Sequence, residues 1–274
     1  MKKKRKIIGD LLGLSVAFVV FVIPFWFILV NSLKDKRSAN LLSISFPEEL
    51  VWSNFTEVII RNDYQILTAF KNSFLIAGIS VVILIVTASM AAFVLQRRAG
   101  KITKIMTTVF MLGLMMPAAI LPTIWVLKEL HLYKTLFSII MIEVALSLPT
   151  NIMLYQGFMS TIPVELEEAA IIDGCGPGQL FYKIIFPLLK PITSTVIILS
   201  SVTIFNDFTN PLYFLPGKEN ATVQLTLYNY TSKFANEYNL LFADVLLITI
   251  PMLILFLIFN KKIIAGMVAG SVKG

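Results

Sequence analysis

Long apolar runs alternate with short polar segments along this chain, and the length of the runs decides its class. A helix needs about 20 apolar residues to cross the hydrocarbon layer of a bilayer. Stretches at about 7–30, 74–95, 105–127, 136–158, 192–215 and 240–260 meet that requirement. The pattern predicts an all-α integral membrane protein of six transmembrane helices, forming one transmembrane domain over residues 1–274. The fifth run is interrupted in its outer third by Asn206, Asp207, Asn210 and Pro211. Pro24, Pro117, Pro122, Pro149 and Pro251 fall inside runs, where neighbouring helices satisfy the carbonyls that a proline frees. Kinked helices around a central path and ordinary kinks both accommodate them.

The polar segments carry the orientation. The chain is 57% hydrophobic and 14% charged with a net charge of +7, and in a membrane protein such an excess of Lys and Arg collects at cytoplasmic helix ends. It therefore reads as a topology signal rather than a footprint for nucleic acid. With the N-terminus inside, the cytoplasmic pieces hold five Lys or Arg at 2–6, four at 97–104, two at 183–190 and three at 261–273, fourteen of the 23 in all. Both termini are thus expected in the cytoplasm. The basic head and apolar run at the N-terminus resemble a signal peptide, but the run is too long for one and no small-residue cleavage pattern follows, so it reads as a retained first span. Outside, residues 32–71 read as a long, partly ordered cap and 128–135 as a connector. Residues 216–239, with Tyr228, Tyr230, Phe234 and Tyr238, suit either a soluble partner or aromatic anchoring at the interface.

Between the fourth and fifth runs, residues 159–191 form a polar segment at the inner face. Pro163 followed by Glu165, Glu167 and Glu168 suits the first turn of a helix, because negative charge complements the positive end of the helix dipole. That helix, from about Pro163 to Ile172, ends at Asp173-Gly174, since glycine tolerates the left-handed conformation that closes a helix. A second helical piece, Gln179 to Leu189, lies between Gly178 and Pro191. The expectation is a rigid helix-turn-helix on the cytoplasmic face.

Glu168-Ala169-Ala170, followed by Gly174, Ile184 and Pro187, resembles the loop signature of the permease subunits of bacterial ABC importers. With Asp173 before the glycine, Phe181 after it and Pro191 beyond, the local variant is most similar to carbohydrate-uptake permeases of the maltose type. Phe205-Asn206-Asp207-Phe208 with Pro211-Leu212 resembles that branch's Trp-Asn-x-Phe and Pro-Leu, and Gly266, Gly270, Lys273 and Gly274 resemble its C-terminal ending. The resemblance covers nearly the whole chain. It implies a multi-pass protein of the bacterial plasma (inner) membrane whose loop is a coupling helix-turn-helix, with Glu168, Ala169, Ala170, Asp173, Gly174, Ile184 and Pro187 engaging an ATPase and the C-terminal tail reaching the same interface. It also implies a second homologous permease subunit, two ATP-binding subunits, and an extracellular or periplasmic sugar-binding protein.

Ionisable groups inside spans are costly and tend to face a bundle interior or an aqueous cavity. Glu143, Asp207 and Asp244 are of this kind, accompanied by Asn151, Gln156, Asn206 and Asn210. Carboxylates and amides beside Phe205 and Phe208 suit hydroxyl-rich sugars, so Asn206, Asp207, Asn210 and Asn151 are candidates for a substrate path. Helix–helix hydrogen bonding serves Asn151 and Gln156 equally well, and Asp244 fits a place near the outer interface. His131 has no second histidine to form a ligand pair, and Cys175 lacks a base, so neither marks a metal or catalytic site. The sequence contains no G-x-x-x-x-G-K-[ST] phosphate loop, which puts ATP and Mg²⁺ on a partner chain and no cofactor on this one. A sugar or oligosaccharide importer subunit is the leading reading, with an ABC importer permease for a non-sugar solute as the alternative. A membrane-embedded enzyme lacks both an H-E-x-x-H motif and a nucleophile–base set, and an ATP-independent carrier would leave the acidic loop without a partner.

Overall fold

The computed structural model describes residues 2–115, 118–231 and 236–271. The described chain is helical apart from turns and one isolated bridge between Thr231 and Asn236. Helix α1 runs as Lys2–Ala17, a π-helical stretch Phe18–Val22, and Ile23–Ser32. It is followed by α2 (Lys36–Ala39), α3 (Ser53–Arg97), α4 (Lys101–Met115), α5 (Ile120–Glu129) and α6 (Leu136–Met159). Next come α7 (Glu165–Ile172), α8 (Pro177–Leu188), α9 (Lys190–Phe205) and α10 (Thr209–Phe214). The last are α11 (Val223–Thr226), which continues into a 3₁₀ turn at Leu227–Tyr230, and α12 (Tyr238–Ser271).

Among the described residues, four helices are long and apolar enough to cross a membrane, or up to six if the pairs α4 with α5 and α8 with α9 each form one span. The expected third run is thus divided between α4 and α5, and Pro117 lies outside the described residues. The expected fifth run, 192–215, is not one helix. It stops at Phe205 and resumes as α10, because Asp207 Oδ1 accepts the backbone N–H of Thr209 (2.9 Å) and a carboxylate oxygen accepts that of Asn210. These bonds cap a new helix start instead of continuing the old one.

The contacts divide the chain into two compact units. The first comprises Met1–Ala69 and Val223–Pro251. Its segment 32–69 is more ordered than the expected cap, because a helix begins at Ser53 and buries Val58 before its break and Ile66 and Ala69, three residues apart, after it. Mixed polarity hides this helix from a search for apolar runs. The helix breaks where Asn62, Asp63 and Tyr64 take left-handed φ angles of 52°, 56° and 59°. Short polar side chains ease that conformation at the first two positions.

Polar groups hold this unit at its turns. Asn54 Nδ2 donates to the carbonyls of Ser32 and Lys34, both at 2.8 Å, and Asn54 Oδ1 accepts from Asn239 Nδ2 at 2.8 Å. Lys34 Nζ, almost fully buried, donates to Asn31 Oδ1 and to both oxygens of Ser43. Glu237 joins Lys36 (2.9 Å) and Arg61 (2.6 Å), and the Arg61 guanidinium lies over the Tyr230 ring at 5.2 Å.

The second unit comprises Phe70–Thr222 and Met252–Gly274. Its core joins Ala88 and Ala92 of α3, Ile152, Tyr155 and Met159 of α6, Phe181 and Ile185 of α8, and Ile192 and Val196 of α9. Phe93 of α3 meets Phe181 of α8 with ring centroids 5.5 Å apart.

The Glu237 carboxyl is held below the ordinary carboxylate range, chiefly by its bond to Lys36 and then by Arg61. As the pH falls, the unfolded chain takes up this proton first, so stability from the cluster is present above about pH 4.3 and lost as the pH drops through the lower folded value. Glu237→Gln is expected to melt below the parent protein at neutral pH by less than about 1 kcal/mol, given partial solvent screening. Melting curves of the two proteins should converge as the carboxyl protonates; a gap independent of pH would dismiss the ion pairs as its source.

Candidate functional site

The segment between α6 and α9 is a hairpin whose first arm, α7, begins with Glu165, Glu167 and Glu168 in its first turn. Its end follows the Schellman pattern: the Gly174 N–H donates to the Ile171 carbonyl and the Cys175 N–H to the Ala170 carbonyl, each at 3.0 Å. Gly174 has φ +83°, which glycine adopts without strain. The second arm, α8, includes a π-helical stretch at Leu180–Ile185 and meets α9 at a bend of 74°.

The seven hairpin residues singled out by resemblance do not share one environment. Glu168, Ala169, Asp173, Gly174 and Pro187 are exposed, Ile184 is half-buried, and Ala170 is buried within the chain's own fold. Only the first of the two small alanines is therefore open to a partner. Around them Val164, Leu166, Ile171 and Ile172 expose apolar surface, Ile172 to 85%. The acidic residues also separate. Glu168 faces out, whereas Glu167 is buried and accepts a 2.6 Å bond from Arg97 Nε. Arg97 Nη2 also donates to the carbonyls of Ile162 (2.9 Å) and Met159 (3.5 Å), at the end of α6. Sequence reasoning treats Glu167 as one of three dipole-complementing acids and assigns Arg97 no role beyond the basic count at 97–104. Period and composition carry no sign of a pair 70 residues apart.

The four candidate path residues do come together. Asn151, Asn206, Asp207 and Asn210 line a cavity of about 530 Å³ between α6 and α9 with its continuation, together with Glu143, Ser147, Thr150, Ser200 and Thr203. The polar groups of its wall bond to one another. Asn210 Nδ2 donates to Glu143 Oε1 at 3.1 Å, Ser200 Oγ to Asn151 Oδ1 at 3.2 Å, and Asn151 Nδ2 to the Ser147 carbonyl at 2.9 Å. The hydroxyls Ser147, Thr150, Ser200 and Thr203 were not anticipated, since serine and threonine are ordinary in membrane helices. Asp244 does not join this cavity. It is fully buried in the first unit and accepts from Thr226 Oγ1 at 2.7 Å.

In the C-terminal tail, Gly266 and Gly270 fall within α12, while their surroundings, and Lys273 and Gly274 altogether, lie outside the described residues. His131 is exposed with φ 55°, and Cys175 is partly buried at the hairpin turn. Among the described residues, no group of three His, Cys, Asp or Glu could hold a metal ion.

Comparison with known proteins matches residues 84–268 to the family model of the binding-protein-dependent transport system inner membrane component. The melibiose/raffinose/stachyose import permease protein MelC of Bacillus subtilis is 36% identical, covering 99% of this chain and 98% of that protein. The probable starch degradation products transport system permease protein AmyC of Thermoanaerobacterium thermosulfurigenes is 28% identical over 98% and 97% of the two chains. In fold, the chain matches one from a bacterial ABC transporter involved in import of the acidic polysaccharide alginate, with a TM-score of 0.82 at 18% identity over 94% and 96% of the chains.

Removal of the bond between α9 and α6 by Ser200→Ala is expected to lower unfolding free energy in micelles by about 0.6 kcal/mol, the mean for interhelical hydrogen bonds in membranes. Unfolding measured by denaturant titration checks this, and an unchanged midpoint would mean that the bond to Asn151 is not maintained.

Proposed function

The chain belongs to the binding-protein-dependent transport system inner membrane components, a family of transporter subunits rather than ATPases, and from that premise we propose that it is a permease subunit of an ATP-driven importer for a sugar or oligosaccharide. The observation that carries the reading is the hairpin at 165–188. It is closed by a glycine in the left-handed region, anchored to its own fold, and open to a partner at Glu168, Ala169 and Ile172. Such an element transmits displacement as a rigid body. The reading places the hairpin on the cytoplasmic face as the coupling element, with Glu168 offering a charge-assisted bond to an ATPase and the apolar residues beside it entering a cleft there. ATP and Mg²⁺ on that partner supply the energy.

Residues 1–274 then act as one transmembrane domain of six spans in the bacterial inner membrane, counting each bent pair once, with both termini inside. A second homologous permease completes the path, two ATP-binding subunits drive it, and a sugar-binding protein delivers substrate outside. The C-terminal tail, through Gly266, Gly270, Lys273 and Gly274, reaches the ATPase interface. The cavity at Asn151 supports a hydroxyl-rich solute, because amides, carboxylates and hydroxyls both donate to and accept from sugar hydroxyls. The melibiose, raffinose, stachyose and starch-product substrates of the relatives favour sugar over other solutes. Movement of the hairpin would open the cavity alternately to the two sides.

Co-purification tests the assembly: the chain should recover an ATPase and a second permease, and the complex should hydrolyse ATP faster when the loaded binding protein is added. Gly174→Asp sets a second carboxylate beside Asp173 at the exposed tip of the hairpin, in space that nothing of its own chain fills, and is expected to abolish uptake by repelling the partner while the chain still inserts. Normal uptake by that variant would remove the coupling assignment. Alanine at Asn206, Asp207 and Asn210 together should weaken sugar stimulation of the ATPase, and unchanged stimulation rejects the cavity as part of the path.

A further inference from the structure

We propose that Arg97 is the positioning residue of the coupling step: its guanidinium ties the hairpin to α3, so that a load on α7 is delivered to α3 before it reaches α9. This rests on the reading of the hairpin as the coupling element.

Three observations carry it. Arg97 is the last residue of α3, and it joins three segments at one point: Glu167 on α7 through Nε at 2.6 Å, and the Ile162 and Met159 carbonyls at the end of α6 through Nη2. The pair is shielded from solvent, with side chains only 15% and 8% exposed, so it is screened little and resists slack. The second arm rests on the same helix, Phe181 against Phe93 with Ile185 beside Ala88 and Ala92. Both arms of the hairpin therefore bear on α3. The covalent route to α9 instead passes through the open turn after Ile172 and then a 74° bend. A guanidinium suits the junction because its planar fork reaches a carboxylate and carbonyls in fixed directions at once, which a lysine ammonium does not.

The adjacent Arg98 is exposed and has no place in the junction, which makes it the internal control. The test uses the whole transporter, purified with its ATPase and second permease and reconstituted in proteoliposomes with the binding protein. Raffinose and maltotriose serve as test sugars. Glu167→Gln keeps the shape and the acceptor oxygen but removes the charge, Arg97→Lys keeps the charge but loses the fork, and Arg98→Gln is the control. Complexes of the first two are expected to assemble with a full complement of ATPase and to keep hydrolysis within about twofold of the parent, while sugar moved per ATP falls about tenfold, the range seen when a coupling network is disturbed. Arg98→Gln should match the parent.

An unchanged ratio of sugar to ATP in both junction variants would overturn the proposal. So would a parallel fall in assembly, hydrolysis and uptake, which marks a pair that merely holds the fold. Failure of the parent chain itself to recover an ATPase would instead defeat the coupling reading.

Discussion

A helix that stops leaves its last carbonyls and its successor's first amides without intrahelical partners, so each interruption of a helix in this chain has to bring its own donors and acceptors. The interruptions are where the chain departs from plain membrane-spanning structure. Just past the end of α6 the Ile162 carbonyl is met by Arg97, which also reaches the Met159 carbonyl that accepts the Ile162 N–H. At the end of α7 the Schellman bonds to Ala170 and Ile171 do the same work within the backbone. Where α9 stops, Asp207 receives the amides that begin α10. Each solution spends a polar side chain or a glycine at a fixed place, and those places are the hairpin and the cavity.

The cavity illustrates the consequence for the proposed path. Its amides and carboxylates are already bonded to one another, Asn210 to Glu143 and Ser200 to Asn151, before any solute enters. A sugar that binds there exchanges one set of hydrogen bonds for another, and such exchanges contribute little net free energy. That suits a path, because a solute held too tightly would not leave. Unpaired carboxylates in the same wall would bind more strongly and would burden the empty state with desolvated charge.

Much of this was legible before the structure. Apolar run length located the four long helices, and the Asp173-Gly174 pair located the hairpin turn, because both are local properties of the chain. Asn206, Asp207, Asn210 and Asn151 could be gathered as candidates because polar groups stand out against an apolar background. The helix from Ser53 was not legible, since its buried positions are spread among charges that an interfacial helix tolerates. Ala170 carries the same motif as Ala169 but lies inward, a distinction that only the packing of α7 makes. Arg97 with Glu167 escaped for a different reason: basic residues at inner helix ends are common enough that topology accounts for them fully.

The two attachments of the hairpin differ in kind, and the difference bears on how it can move. The contact of Phe181 and Ile185 with α3 is apolar, hence non-directional, and tolerates small rotations at little cost. The contact of Glu167 with Arg97 is a charge-assisted bond at 2.6 Å with two further bonds from the same guanidinium, and it fixes direction as well as distance. A body held by one yielding and one rigid contact pivots about the rigid one. The fulcrum then lies at the Arg97 end of α3, and the exposed turn at Gly174 is the free end, where the proposed ATPase would push.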